Sequence, residues 1–418
     1  MSDRESLAYL YGLQRFGIKL GLDNIRRLLS RAGEPQRSMN LVHVAGTNGK
    51  GSVCSILAAL LTKAGHRTGL YTSPHLHDFN ERIRVDDKLI TDREMAELTA
   101  VLKELCEEDI PATFFEFTTS MALCYFQRQG VDWGVLETGM GGRLDATSVV
   151  EPEVVVITSV SMDHADHLGE NIGLIAAEKA GIFKQDTPIV SAGQPVEVLD
   201  VLAAEAEKRN APFYVLGRDF TLEKSSRGVC FKGLALRYQG LHLPLFGDHQ
   251  LENMALSLAA LELCGVADEM TLETVNAGLV GVSWPGRLEW WPGEQRILLD
   301  GAHNVAGCMA LVHYLEQVGV KDVRLLFGAK DDKAASAMLE ALLPRVKELI
   351  LTKPPVEEAF PLKVLASQAR ADGVPVKMFE EVAAALDEGL SGIGDDVLLV
   401  AGSLFLVAAA REYLGVNL

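Results

Sequence analysis

The run HVAGTNGKGS, His43 to Ser52, sets Gly46, Gly49 and Gly51 around a single lysine, Lys50. Glycines so placed let backbone amides turn toward one point, and a helix that starts there adds its positive end, the combination that holds a polyphosphate. Lys50 then reaches the outer phosphates, and the hydroxyl of Ser52 or Thr47 is a candidate ligand for the accompanying magnesium ion. The spacing is a variant of the usual phosphate loop: Val44 stands where the first glycine belongs, and Gly51 separates Lys50 from Ser52. A tight turn without a ligand is the competing reading. The order of elements favours phosphate, because strand-like MNLVHVAG precedes the loop and helical SVCSILAALLTKAG follows it.

Four further clusters follow apolar runs, where the ligands of an open α/β sheet gather. TSPHL offers Ser73 and His75; LETGMGGRLDATS offers Glu137, Arg143 and Asp145; SVSMDHADHLGE offers Asp163, His164, Asp166 and His167; LLDGAHN offers Asp300, His303 and Asn304. A carboxylate at such a point is often only a helix cap or a surface charge. Next to a phosphate site, which recruits magnesium through carboxylate and hydroxyl oxygens, Glu137 gains weight as a ligand, whereas a histidine ligand is unusual. Lys179, in AAEKAGIFK, lies in a helical stretch where a lysine reads as a solvated charge. The cysteines and methionines fall in apolar stretches and read as core.

Apolar runs of strand length (HRTGLYTS, DWGVLETG, EVVVITSV, TPIVSAG) alternate with helical ones such as DREMAELTAVLKELCEE and TTSMALCYFQRQG. This is the pattern of an α/β fold with a mostly parallel sheet. Between Phe213 and Leu245 short segments punctuated by glycine predict a small antiparallel sheet at one edge. The proline- and tryptophan-rich VSWPGRLEWWPGEQ breaks the pattern, and a second α/β unit restarts with RILLDGAHN. The expectation is a phosphate-loop ATPase domain over residues 1–288, a linker over 284–296, and a Rossmann-like domain over 296–418.

With 39 basic against 57 acidic residues the chain carries a net charge of -18, which disfavours nucleic acid and anionic membranes as partners. The six cysteines form no C-x-x-C pair, so neither a zinc site nor a disulfide framework is indicated. MSDRESLAYL is too charged for a signal peptide and VLLVAGSLFLVAAA too short to span a bilayer, so a cytoplasmic protein is expected, and as no feature demands more, a monomer.

Taken in order, HVAGTNGKGS, SPHL, FNERI, ETGMGGRLDATS, SVSMDHADHLG, EKAGIFK, GDHQLENMALS, WPGRLE and DGAHN resemble the folylpolyglutamate synthases and bifunctional dihydrofolate synthases of the ATP-dependent Mur ligase superfamily. GTNGKGS is the form of phosphate loop that this family uses. The resemblance implies that Asn48, Gly49, Lys50, Gly51 and Ser52 cradle ATP, and that Asn253, Arg287 and Asp300 contact the nucleotide. It further implies magnesium at two sites, with Ser52, Ser73, Glu137 and His164 as ligands, and a monovalent cation as a further candidate cofactor. Lys179 matches a lysine carbamylated by carbon dioxide, and His303 and Asn304 stand close to the transferred phosphoryl or the incoming glutamate. Leu20, Gly21 and Leu22, then Thr113, Phe114, Phe115 and Glu116, and then Leu144, Asp145 and Ala146 resemble the dihydropteroate pocket of bifunctional members.

The activity so implied is ATP-dependent addition of L-glutamate to dihydropteroate, and to the γ-carboxylate of reduced folate polyglutamates, through an acyl phosphate. The N-terminal LGLDNI segment favours both activities; folylpolyglutamate synthesis alone is the alternative. Among rivals, a peptidoglycan-type Mur ligase usually carries a separate N-terminal substrate domain. A phosphate-loop ATPase that drives motion would need no second domain bearing Asp300 and His303.

Overall fold

In this computed structural model residues 3–16, 21–106, 109–163, 168–293, 296–331 and 334–415 are described. Two units form: Met1–Pro244 with Gln250–Val282, and Leu245–His249 with Ser283–Leu418.

The first unit is built on β1 (Asn40–Ala45), β2 (Thr68–Tyr71), β3 (Ile83–Val85), β4 (Lys88–Leu89), β5 (Trp133–Glu137), β6 (Val154–Ile157), β7 (Ile189–Ser191) and β8 (Phe213–Val215), in the sheet order β4-β3-β2-β5-β1-β6-β7-β8. At the edge β3 runs antiparallel to β2 and β4 antiparallel to β3; the other pairings are parallel. Parallel strands covered on both faces need continuous apolar runs, and VVVI of β6 and WGVLE of β5 are buried at every residue. One core cluster joins Leu41, Tyr71 and Leu136 to Met95, Phe117 and Phe126 of the helices Asp92–Cys106 and Phe114–Gln129. Another joins Ala45, Val155 and Ile157 to Ile175 and Val198 of the helices Ile172–Ala180 and Val196–Glu207.

Because β5 and β6 flank β1, the strand order reverses about β1, and such a reversal opens a crevice at the carboxyl ends of the strands. Register does the rest. Val44 pairs with Glu137, Ala45 with Ile157, and Tyr71 with Leu136. The loops after β1, β2, β5 and β6 therefore leave the sheet side by side.

A separate antiparallel sheet holds β9 (Thr221–Ser225), β10 (Gly228–Lys232) and β11 (Arg237–Leu241). FYV at 213–215, expected in the antiparallel group, instead extends the main sheet as β8, parallel to β7, because its partner groups lie on Ile189–Ser191.

The second unit has β12 (Glu289–Trp290), β13 (Ile297–Leu299), β14 (Val323–Phe327), β15 (Val346–Thr352), β16 (Val376–Phe379) and β17 (Val397–Ala401), in the order β12-β13-β17-β14-β15-β16, parallel apart from β12. This is the Rossmann-like arrangement expected. By contact, the second unit runs from Ser283, where the sequence reading has a linker over 284–296 before a domain from 296, and it takes in Leu245–His249. Within the expected linker, described residues join the second sheet. Glu289 and Trp290 pair with Leu299 and Leu298, and the Trp290 indole donates to the Tyr314 hydroxyl at 2.7 Å. Phe246 lies against the ring of Tyr314, and Asp248 Oδ2 accepts from Gln317 Nε2 at 2.7 Å, which together account for the company that 245–249 keeps. Among the described residues no helix is long and apolar enough to cross a membrane.

Candidate active site

The loop after β1 has the geometry its glycines predict. Gly46 has φ +148° and Gly49 +92°, and Gly49 begins the helix Lys50–Lys63 as its N-cap. A Cβ at Gly46 would collide with the Thr158 hydroxyl, and one at Gly49 would lie 2.6 Å from Asn253 Oδ1. Side chains are thus excluded at both glycines, which leaves the backbone of the loop bare. The β6 loop braces the cradle: Thr47 N–H donates to Ser159 O at 2.8 Å, and Ser161 N–H donates to Thr47 Oγ1 at 3.1 Å. Half-buried Lys50 donates to Thr47 O at 3.0 Å, while Ser52 in the first turn is buried. Asn253 is buried and donates to Gln250 Oε1 at 3.0 Å.

Beside this cradle, Glu137 ends β5 only 5% exposed, and its Oε2 accepts from Ser73 N–H at 3.0 Å. The carboxylate and the Ser73 hydroxyl are oxygen donors of the type magnesium takes, and together with Ser52 they suit that ion. His164, with Asp166, His167 and Leu20, lies outside the described residues. Among the described residues no three of His, Cys, Asp and Glu form a metal cluster.

Lys179, on the helix Ile172–Ala180, is not a solvated charge. It is 3% exposed and its Nζ donates to Gly46 O at 2.6 Å. Burial, with the neighbouring Lys50 charge, lowers its pKa to about 7, against the smaller opposing pull of Asp163 and Asp145. Its neutral amine is therefore well populated near neutral pH.

The third group of candidates splits by role. Thr113 and Glu116 are buried and cap the helix Phe114–Gln129 reciprocally: Glu116 N–H donates to Thr113 Oγ1 at 3.3 Å and Thr113 N–H to Glu116 Oε2 at 2.7 Å. Phe114 and Phe115 are half-buried; Phe114 stacks on Tyr11 with centroids 6.3 Å apart, and Phe115 lies 6.0 Å from the Tyr71 ring. Asp145 is buried, and its oxygens accept from the amides of Gly139 and Met140 at 2.9 Å and of Thr147 at 3.0 Å. It organises the GMGGRLD loop, with Leu144 half-buried and Ala146 buried on either side. Gly21, with φ +147°, and Leu22 precede the helix Asp23–Arg31, and Leu22 packs on the core cluster that holds Phe117.

In the second unit, buried Asp300 ends β13 and accepts from Leu288 N–H at 2.8 Å and Ala302 N–H at 2.9 Å. This clamps the WPGRLE turn that carries Arg287, where Gly301 N–H also donates to Gly286 O at 2.8 Å. His303 Nδ1 lies 2.9 Å from Gly301 O, a contact that requires its proton on Nδ1. Asn304 is the N-cap of the helix Val305–Gln317, accepting from Gly307 N–H at 2.9 Å.

The residue passed over by sequence reasoning is Arg82 of FNERI. It is 7% exposed, at the end of the short helix Phe79–Arg82, and its Nε donates to His75 Nδ1 at 2.8 Å. Asp78 and Glu81 form a capping box there, and the D-x-x-E spacing is the signal that marks the turn.

The Mur ligase middle domain matches this chain over residues 44–261, and the Mur ligase glutamate ligase domain over 286–404. The dihydrofolate synthase/folylpolyglutamate synthase of Bacillus subtilis is 38% identical over 353 residues, 81% of this chain and 82% of that one. The probable bifunctional folylpolyglutamate synthase/dihydropteroate synthase of Haloferax volcanii is 36% identical over 429 residues, 98% of this chain but 50% of that protein, so the chain spans about half of its length. Among solved structures, Mycobacterium tuberculosis folylpolyglutamate synthase complexed with ADP and AMPPCP aligns with a TM-score of 0.90 and 33% identity, covering 100% of both chains. The two Mur ligase models follow one another along the two α/β units, and the chain belongs to the Mur ligase family, among its folylpolyglutamate and dihydrofolate synthases.

Proposed function

We propose that this chain joins L-glutamate to dihydropteroate, and to the terminal γ-carboxylate of reduced folates, at the expense of ATP. The observation that carries the reading is the convergence on one crevice of a phosphate cradle, a buried carboxylate and a buried lysine, from the ends of β1, β5 and the helix Ile172–Ala180.

A carboxylate becomes reactive toward an amine once it carries a phosphoryl leaving group, so transfer of the γ-phosphoryl of ATP to the acceptor oxygen gives an acyl phosphate and ADP. The glutamate α-amine then attacks the acyl carbon and phosphate leaves with the C–O electron pair. Such transfers are catalysed by positioning and charge neutralisation. Asn48, Gly49, Lys50, Gly51 and Ser52 hold the phosphates, with Lys50 countering charge on the outer ones, and Asn253 contacts the nucleotide. Ser52, Ser73, Glu137 and His164 hold magnesium, which supplies charge neutralisation at the phosphoryl oxygens. Lys179, carbamylated, presents an anion in place of its amine. The segments around Gly21 and Leu22, Phe114 and Phe115, and Leu144 to Ala146 take the pterin. In the second unit Arg287 and Asp300 are assigned to the nucleotide and His303 to the glutamate amine.

ADP release with ATP, magnesium and L-glutamate, measured with dihydropteroate and separately with tetrahydrofolate, tests this. Release with both acceptors is expected; release with tetrahydrofolate alone reduces the activity to folylpolyglutamate synthesis, and release without either acceptor marks a simple ATPase.

A further inference from the structure

Arg82 is a buried cation that no described carboxylate contacts directly, Glu137 and Glu81 acting on it only from a distance. It forms no ion pair with any described residue, and its one side-chain hydrogen bond runs from Nε to His75. The nearest acid in sequence is occupied elsewhere: the Glu81 oxygens accept from the amides of Leu76, His77 and Asp78 at 2.7, 2.8 and 2.9 Å. Two ring faces flank the guanidinium, Phe114 at 5.2 Å and Phe79 at 6.0 Å from centroid to Cζ. Aromatic faces attract a cation but do not neutralise it, and a buried arginine without an acid partner is costly to keep. The Nη edge remains, and a guanidinium edge is shaped for two parallel bonds to a carboxylate.

Its place in the sheet says which carboxylate. Tyr71 pairs with Ile83 on one side and with Leu136 on the other, and Thr72 N–H donates to Arg82 O at 3.0 Å. Arg82 is therefore next to the end of β2, one residue from Ser73 and across from the strand that ends in Glu137. It also borders Phe114, in the segment assigned to the pterin. The phosphate loop has its own cation in Lys50, so a second one at β2 answers to a different anion. His75 fixes the fork, its Nδ1 accepting from Arg82 Nε at 2.8 Å.

We propose that Arg82, held by His75, binds the carboxylate of the acceptor substrate and so selects acceptors that end in one. The inference rests on the ligase reading for the identity of that acceptor.

The test compares dihydropteroate with its carboxamide, by titration calorimetry in the presence of a non-hydrolysable ATP analogue and magnesium, for the wild type, Arg82→Gln and Arg82→Lys. Wild type is expected to prefer the acid by about tenfold or more, and Arg82→Gln to lose that preference while its affinity for the carboxamide and the KM for ATP stay within about twofold. Arg82→Lys keeps the charge without the paired edge and recovers part of the preference; should the glutamine variant not fold, the lysine variant must show a reduced preference. Equal losses for acid and amide, or a preference that survives in the variants, overturn the assignment while leaving the ligase reading intact. Wild-type protein that turns over no acceptor in the ADP-release assay overturns both.

Discussion

Lys179 Nζ lies 2.6 Å from the carbonyl oxygen of Gly46, the glycine that opens the phosphate loop. A helix lysine thereby becomes part of the cradle. Its folded pKa of about 7 lies below the ordinary 10.5, so between these values the unfolded chain holds a proton that the folded chain lacks, and this group's contribution to stability rises with pH through that window. The same neutral amine is the form that reacts with carbon dioxide. Activation of bicarbonate-depleted enzyme by added bicarbonate is expected to fall away as pH drops below about 7, and Lys179→Ala is expected to be inactive until short-chain carboxylates replace the missing anion. A Lys179→Ala enzyme with full activity would remove the residue from the chemistry.

Lys50 contrasts with it. Its amine makes one bond, to Thr47 O, from a half-buried position. Lys50→Ala is expected to abolish turnover while stability changes by only about 1 kcal/mol, the usual net value of one hydrogen bond. Turnover and thermal unfolding measured on the same preparation decide this, and a variant that fails to fold would make the lysine structural.

His43 is fully buried on β1, and its Nε2 lies 2.7 Å from Thr147 Oγ1, in the segment that Asp145 organises. Burial, helped by Lys184, lowers its pKa to about 3 from 6.5. Below pH 6.5 the unfolded chain takes up a proton that the native imidazole refuses, so stability falls toward acid by about 1.4 kcal/mol per pH unit down to about pH 3. Replacing His43 by leucine removes this slope. Urea unfolding of both proteins between pH 4 and pH 7 checks it, since carboxylates titrating in that range cancel in the difference; parallel curves would show that His43 is not the group responsible.

Which parts of the site were legible follows from how local their causes are. The phosphate loop and Glu137 can be read because a strand, a glycine turn and a helix, or a strand ending in a carboxylate, lie within a few residues of one another. Lys179 read as solvent-exposed, since its burial depends on Gly46, distant in sequence and brought to it by packing against β1 and β6. Glu116 and Asp145, placed near the pterin by the resemblance, have carboxylates engaged with backbone amides that start a helix and a loop, and the T-x-x-E spacing in TFFE is the signal for the first of these. Arg82 escaped because its surroundings come from three places: His75 after β2, Phe79 in its own turn and Phe114 at the start of another helix. The company of 245–249 with the second unit is equally hidden, resting on partners distant in sequence, Phe246 on Tyr314 and Asp248 with Gln317.

Two glycines with similar positive φ separate conformational strain from collision. Gly33 has φ +86° with nothing near the place of a Cβ; Gly49 has φ +92° with Asn253 Oδ1 2.6 Å from that place. Alanine at either position must adopt a left-handed conformation, at a cost of about 1–2 kcal/mol. Only at Gly49 must a neighbour also move, and Asn253 is tethered to Gln250 at 3.0 Å. Gly33→Ala is therefore expected to lower stability by the strain alone and to leave the KM for ATP unchanged, while Gly49→Ala loses more stability and raises that KM by about tenfold or more. Chemical denaturation supplies the first comparison and initial rates at varied ATP the second. If the two variants prove alike in both, the approach of Asn253 to the loop has no bearing on nucleotide binding, and the glycine is there for its backbone conformation alone.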